Sequence, residues 1–331
     1  MNDESSVHAI SVVIPVYQGE HTLAHLLADL EPWHQPFLTP DGHRARVAEV
    51  LLVHDCGPDG SDRVIREAAA AHEWVRPVWL SRNFGQHAAT LAGMSSSGGD
   101  WVATLDEDGQ HDPADLGTML DRAMAEQADV VYAAPVNPAP HGFLRNASSR
   151  LAKRSIGLLS GRAEAASFHS YRLMLGDVAR SVAAYSGSGV YLDVALGWVS
   201  RRVVTAPVRL RAEARASGYG WRTLMSHYWR MVLSGGTRVL RVVSLLGFVF
   251  ASLGFLLAAF VVWARLSNQI EVTGWASSMV TVLLSSGVLL FTMGVVAEYL
   301  GVAVNMAMGK PLYLVVRDRA DGPLSRPRPG P

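Results

Sequence analysis

Hydrophobic positions along the first 135 residues fall into two recurring patterns. Short, nearly unbroken apolar runs rich in β-branched residues occur at 10–16 (ISVVIPV), 47–53, 75–80, 101–105 and 129–134. Such runs lack the in–out alternation of a half-exposed strand and predict strands buried on both faces. Between them, apolar positions recur at helical spacing over 22–29, 62–71, 86–97 and 113–126. Strand and helix in alternation predict an α/β fold, a sheet covered on both sides, with ligands at the carboxyl ends of its strands.

The pattern changes after residue 135. Pro135, Pro138, Pro140 and Gly142 mark a loop, and Arg145, Arg150, Lys153, Arg154 and Arg162 follow, interleaved with leucines. Those basic residues fit either a solvated helix face or an amphipathic element at a membrane surface. Residues 242–264 then run without a charge, as do residues 272–297. At about 1.5 Å per residue each covers the roughly 30 Å hydrocarbon core of a bilayer, which predicts two transmembrane helices. Arg230, Arg238 and Arg241 precede the first, and Lys310, Arg317, Arg319, Arg326 and Arg328 follow the second. That distribution predicts both flanks in the cytosol and a short external loop, with Trp263 and Trp275 at the outer interface. The N-terminus has neither the basic start nor the apolar core of a signal peptide, so the first domain is expected in the cytosol. The expected organisation is an N-terminal tail (1–8), a catalytic-sized domain (9–225), a juxtamembrane amphipathic helix (226–241), a first span (242–264), an external loop (265–275), a second span (276–304) and a basic cytosolic tail (305–331).

Composition narrows the classes. With 49% hydrophobic residues among 331, the chain is not disordered. The single cysteine, Cys56, excludes an internal disulfide framework and a Cys-rich zinc site. The 29 basic and 29 acidic residues cancel, but unevenly. Residues 1–129 hold 7 basic and 21 acidic side chains, residues 130–241 hold 16 and 4, and the remainder 6 and 4. The basic stretch leads into the predicted spans, where each Lys or Arg near anionic headgroups is worth about 1 kcal/mol.

The segment most suggestive of chemistry is TLDEDGQHDPADL, residues 104–116. Asp106 and Asp108 follow a strand with one residue between them, so both carboxylates can reach one hard cation, Mg²⁺ or Mn²⁺, with Gln110 as a further oxygen. Such an ion would neutralise a diphosphate leaving group. The competing reading is an acidic turn capping the helix that starts at Pro113.

Four segments in order, each after a predicted strand, carry a family resemblance: Pro15-Val16-Tyr17, His54-Asp55-Cys56-Gly57-Pro58-Asp59, Ser81-Arg82-Asn83-Phe84-Gly85 and Asp106-Glu107-Asp108-Gly109-Gln110-His111. Together they resemble a family 2 glycosyltransferase of the GT-A fold. With the two C-terminal spans and Glu298-Tyr299-Leu300-Gly301 … Lys310-Pro311-Leu312-Tyr313, the chain looks like the polyprenyl-phosphate branch, which includes dolichol-phosphate mannose synthases and bacterial undecaprenyl-phosphate sugar transferases.

The resemblance implies roles. Pro15, Val16 and Tyr17, with His54 and Asp55, would hold the nucleotide. His54 stands where the family has the first acidic residue, and Gly19 where it usually has a glutamate that Glu20 could replace. Arg82, Asn83, Asp106 and Glu107 would line the donor cleft, and Asp106, Asp108 and Gln110 would hold the metal. Asp193, in Tyr191-Leu192-Asp193, would act with Asp108 in catalysis as a base or electrostatic positioner, a buried capping role being the alternative. Arg211 and Arg215 would meet the acceptor phosphate, with the donor diphosphate as the alternative for Arg215 and surface charge on a strand for Arg211. Arg172 matches a family position without a derivable role.

The implied activity is inverting, metal-dependent transfer of a sugar from a nucleotide-diphosphate sugar to a polyprenyl phosphate at the cytosolic face of the plasma membrane. The expected partners are donor, acceptor and bilayer, with no nucleic acid; homo-oligomerisation stays open. A non-catalytic scaffold or sugar-nucleotide sensor on the same fold is the rival from another class, and a processive polysaccharide synthase the rival within it.

Overall fold

The computed structural model describes residues 7–137, 168–187, 191–211, 238–267, 274–309 and 311–322. The basic stretch at 145–162, Arg215, Lys310 and most of the expected juxtamembrane helix lie outside these residues.

Five strands match the apolar runs: β1 (His8–Val16), β3 (Arg44–His54), β4 (Val75–Leu80), β5 (Trp101–Thr104) and β6 (Val130–Pro135), with β2 (Phe37–Leu38) forming a small antiparallel pair with β3. The remaining strands are β7 (Arg172–Leu175), β8 (Val203–Val208) and β9 (Val315–Val316). The sheet order is β8-β6-β7-β5-β1-β3-β4-β9. β1, β3, β4 and β5 run parallel, whereas β7 is antiparallel to both β5 and β6, and β9 is antiparallel to β4. The fold is a mixed α/β sheet covered on both faces, as the alternation of strand and helix predicts.

The alternation of side chains along β1 builds both core layers. Val12, Ile14 and Val16 face one layer, where they meet Leu23, Leu26 and Leu30 of α1 (Leu23–His34), Ile65 of α2 (Ser61–Ala71) and Leu116 and Met119 of α4 (Asp115–Glu126). Val13 faces the other, against Leu91 and Ala92 of α3 (Gln86–Ser96), Val182 of α5 (Gly176–Tyr185) and Leu196 of α6 (Leu192–Val199). Helix α3 approaches the sheet closely where its buried face carries Ala89, Ala92 and Gly93. A Cβ on Gly93 would sit 2.3 Å from Val13 Cγ1. Helix α1 runs five residues past its expected end and carries Pro32 in its last turns, where the buried Leu30 anchors it to the sheet.

Two long helices follow, α7 (Arg238–Leu266) and α8 (Trp275–Ala307). Within α8, Leu284–Val304 is long and apolar enough to cross a bilayer, with a mean hydropathy of 1.9. The apolar run described in α7, Val243–Leu256, is shorter. Phe248, Phe255, Leu290 and Met293 point outward, each roughly two-thirds exposed or more. Beyond α8 the chain returns to the N-terminal domain as β9, so this part of the expected tail is joined to the sheet at its β4 edge.

Candidate active site at the carboxyl ends of the parallel strands

From β1 the chain moves outward through β3 to β4, then crosses back to place β5 on the other side of β1. The loops after β1 and β5 therefore diverge and leave a crevice, the usual ligand position in such sheets. All four sequence segments meet at this end of the sheet, and carboxylates tie neighbouring loops together.

Glu107 spans the crevice. Its carboxylate accepts hydrogen bonds from the backbone N–H of Tyr17 at 2.9 Å and of Gln18 at 3.1 Å. Burial raises its pKa, against the pull of those two amides. Gly19 admits this carboxylate, since a Cβ there would lie 2.9 Å from a Glu107 oxygen. Tyr17 is partly exposed at the rim.

On the other flank, the loop after β3 packs on the loop after β1. A Cβ on Gly57 would fall 1.5 Å from the Tyr17 carbonyl oxygen, so only glycine allows this backbone approach. Gly57→Ala is expected to force the two loops apart, destabilising the protein at the upper end of about 1–3 kcal/mol and weakening nucleotide binding; thermal melting and nucleotide titration read both. Glu20 accepts from the Gly60 N–H at 3.0 Å, and Asp59 accepts from the Glu20 N–H at 3.1 Å. Asp55 accepts from the N–H groups of Phe84 at 2.7 Å and Gly85 at 2.8 Å, joining the β3 and β4 loops at the start of α3. Burial raises its pKa, opposed by those amides and by Arg82. His54 packs edge-on against Trp79, and its Nε2 has no hydrogen-bond partner among the described residues. Burial lowers its pKa, which keeps the ring neutral at pH 7.

Asp106 sits at the end of β5 with both oxygens occupied, one by Gln86 Nε2 and the other by Ser170 Oγ, each at 2.6 Å. Burial pushes its pKa up, offset by these hydrogen bonds and by the positive charge of Arg172. Its backbone N–H donates to His111 Nδ1 at 3.0 Å. His111 is buried and stacked on Tyr171, and burial lowers its pKa to about 4. It is neutral at pH 7 and its Nδ1 is an acceptor, as that hydrogen bond requires. Asp108 accepts from both the backbone and side-chain N–H groups of Gln110, at 3.0 Å each, through a turn at Gly109 (φ +73°).

Arg172 lies beneath this loop. It faces Thr104 across the β5–β7 ladder, donates to Thr104 Oγ1 at 3.0 Å, and forms a buried ion pair with Asp193. Tyr132 donates to the same Asp193 oxygen at 2.9 Å. Asp193, expected to face the reacting sugar, is instead enclosed by Arg172 and Tyr132 in the first turn of α6.

Arg211 also differs from expectation. Its guanidinium is shared between Asp29 and Asp112, and its backbone N–H bonds the Gln110 carbonyl. With two carboxylates on it, its charge is compensated within the protein, leaving it a brace for the metal-loop segment. Nearby, Asp115 is pushed up to about 6 by burial and by the adjacent Asp112. In the unfolded chain an Asp titrates near 4, so the folded state holds this proton more tightly. Its contribution to stability is present in full below about pH 4 and lost as pH rises through 6. Asp115→Asn, which does not titrate, is expected to melt above the parent protein at pH 7.5, with the gap closing by pH 4.

The structure therefore brings Tyr17, Glu20, His54, Asp55, Asn83, Glu107 and the Asp106–Gln110 segment to one end of the sheet. Gln86, Ser170, His111 and Tyr132, which complete the site, carry no local spacing signal. They arrive from separate elements, although His111 lies within one of the four segments.

The model of the family described as Glycosyl transferase family 2 matches residues 11–178. The undecaprenyl-phosphate 4-deoxy-4-formamido-L-arabinose transferase of Pseudomonas paraeruginosa is 32% identical over 324 residues, covering 94% of this chain and 90% of that protein. The protein of that name from Klebsiella pneumoniae is 31% identical, covering 94% of each. Among solved structures, glucosyl-3-phosphoglycerate synthase from Mycobacterium tuberculosis with phosphoglyceric acid is similar at 17% identity, covering 70% of this chain and 80% of that one, with a TM-score of 0.48. With the four strand-end segments, the mixed sheet and relatives of this likeness along nearly the whole chain, the protein belongs to glycosyl transferase family 2 and is a glycosyltransferase of the GT-A fold.

Proposed function

We propose that the protein moves one sugar, with inversion, from a nucleotide-diphosphate sugar to undecaprenyl phosphate at the cytosolic face of the membrane. The observation that carries this reading is the pairing of β9 with β4. It returns the chain to the catalytic domain after two long apolar helices, which fits a membrane hairpin with both ends on one side. The outward-facing phenylalanines and leucines of α7 and α8 suit lipid contact. The likeness to the undecaprenyl-phosphate transferases extends over the helices as well as the sheet. An acceptor whose phosphate lies at the headgroup plane explains why a glycosyltransferase would be tethered there.

The donor would occupy the crevice between the β1 and β5 loops, its base near Tyr17, His54 and Asp55. Arg82, held over the Phe84 ring at 4.2 Å, would face its phosphates. The donor set after β5 suits a divalent cation. Asp106 is a partly buried carboxylate whose charged form burial disfavours, so a cation would compensate it. Among the described residues no three His, Cys, Asp or Glu side chains converge as a complete metal cage. Asp106 and Asp108, with Gln110, would thus hold the ion jointly with diphosphate oxygens and water, as Mg²⁺ and Mn²⁺ accept. Bound there, it supplies positive charge for the departing diphosphate.

The chain's own residues position and stabilise. Gln86 and Ser170 fix Asp106, Glu107 fixes the loop under the nucleotide, and Arg172 lends positive charge below. The acceptor phosphate is already an anion near neutral pH, so alignment matters more than a general base. That is consistent with Asp193 acting through Arg172 as a positioner.

The test is incubation of the purified protein with undecaprenyl phosphate, Mn²⁺ and a panel of labelled nucleotide sugars. One donor is expected to give a lipid-linked sugar. Nucleotide binding without product from any donor would replace this reading with a sensor role.

A further inference from the structure

The segment after α8 is built into the catalytic domain by contacts of several kinds. Leu312 and Tyr313 pack on the core layer under α3, and the Tyr313 hydroxyl hydrogen-bonds Ser95 at 3.0 Å. Val315 and Val316 pair with Leu80 and Trp79, and the Ser81 N–H donates to the Leu314 carbonyl at 3.0 Å. Arg66 grips both oxygens of Asp318, at 2.5 and 3.0 Å, while lying over the Trp79 ring. That grip holds the Asp318 carboxyl below the usual carboxylate range. Asp318 also caps the 3-10 turn Arg319–Asp321 by accepting the Ala320 N–H.

This anchoring brings one cation to the carboxyl end of β4, at the start of the loop that carries Arg82 and Asn83. Arg319 Nη2 donates to the Ser81 carbonyl at 2.8 Å, immediately before Arg82 and Asn83. Its charge reaches Cys56 on the adjoining β3 loop. Arg63, Arg66, Arg172 and Arg211, at the same end of the sheet, are all neutralised by carboxylates. Among the described residues, Arg82 and Arg319 form no ion pair. One is held by a ring and its own loop, the other by a carbonyl, and both lie at the carboxyl end of β4. Guanidinium forks kept in place without a direct ion pair are suited to a phosphate-bearing ligand.

We propose that Arg319 is a donor-binding residue, carried to the crevice by the C-terminal strap 311–322, and that with Arg82 it holds the diphosphate of the nucleotide sugar. The inference rests on the donor-site reading above. It makes the strap a part of the binding site and Asp318 a positioning residue that acts through it.

Full-length protein in detergent, titrated with UDP and with GDP in the presence of Mn²⁺, tests this. Arg319→Ala is expected to weaken nucleoside diphosphate binding about tenfold or more. The same variant should raise the donor KM while leaving kcat, the acceptor KM and the melting temperature near those of the parent. Arg319→Gln, which keeps a donor for the Ser81 carbonyl, should weaken binding as much. Arg319→Lys should recover part of it, and Asp318→Ala should reproduce the defect with Arg319 intact. Unchanged affinity in Arg319→Ala, in a protein that binds UDP or GDP, would overturn the proposal and leave the donor site standing. A parent protein that binds neither nucleotide would remove both.

Discussion

Asp108→Ala is expected to lower sugar transfer by about 10²–10³-fold with the fold intact, the usual cost of removing one group that stabilises developing charge. Both Asp108 oxygens accept from Gln110, two residues away, so these two bonds lie within one turn. Asp106, by contrast, joins Gln86 of α3 and Ser170 ahead of β7, so its loss would disturb the surrounding loops as well as the chemistry. A second readout separates charge from structure. Mn²⁺ should strengthen nucleoside diphosphate binding to the parent protein and have little effect on Asp108→Ala, with equal melting temperatures. Turnover unaffected by the substitution would exclude Asp108 from the site.

The parts of this site that are legible in the sequence are those that neighbouring residues specify. A buried parallel strand must be apolar along its length, and the residues just beyond it must be the polar ones that line the crevice. Hence the order of residues alone places 10–16, 75–80 and the Asp106–Gln110 segment. The antiparallel β7 is not legible, because RLML begins with an arginine that opposes Thr104 only after the sheet has formed. Nor is β9, a two-residue strand whose pairing depends on a helix pair bringing it back to β4. Asp193 and Arg211 are legible as charges near a cleft and misleading as to direction. Each is directed by a partner far away in sequence, Arg172 and Tyr132 for one, Asp29 and Asp112 for the other. The charge asymmetry has the same origin. An acidic N-terminal half contributes many of the carboxylates that tie its loops together, and it meets basic residues supplied by later segments, as in Arg172 beneath Asp106 and Arg211 on Asp112.

Arg172→Leu should be the most destabilising single change at the site, and an additional Asp193→Asn substitution should undo most of the loss. Arg172 and Asp193 are both buried and face each other, so removing the cation leaves an unpaired carboxylate in the core, at about 3–5 kcal/mol. Exchanging both partners removes the buried charge. The amide carbonyl that Asp193→Asn puts in place of the carboxylate still accepts the Tyr132 hydroxyl, so that donor stays satisfied. Melting curves of the two single variants and the double variant form the cycle that isolates the pair. Activity should not follow stability. Arg172 also lowers the pKa of Asp106 from below, and neither replacement side chain carries the charge to do that. The double variant should fold and still transfer poorly, with its turnover shifted to higher pH as Asp106 gives up its proton less readily. Full recovery of turnover along with stability would show that the pair serves the fold alone.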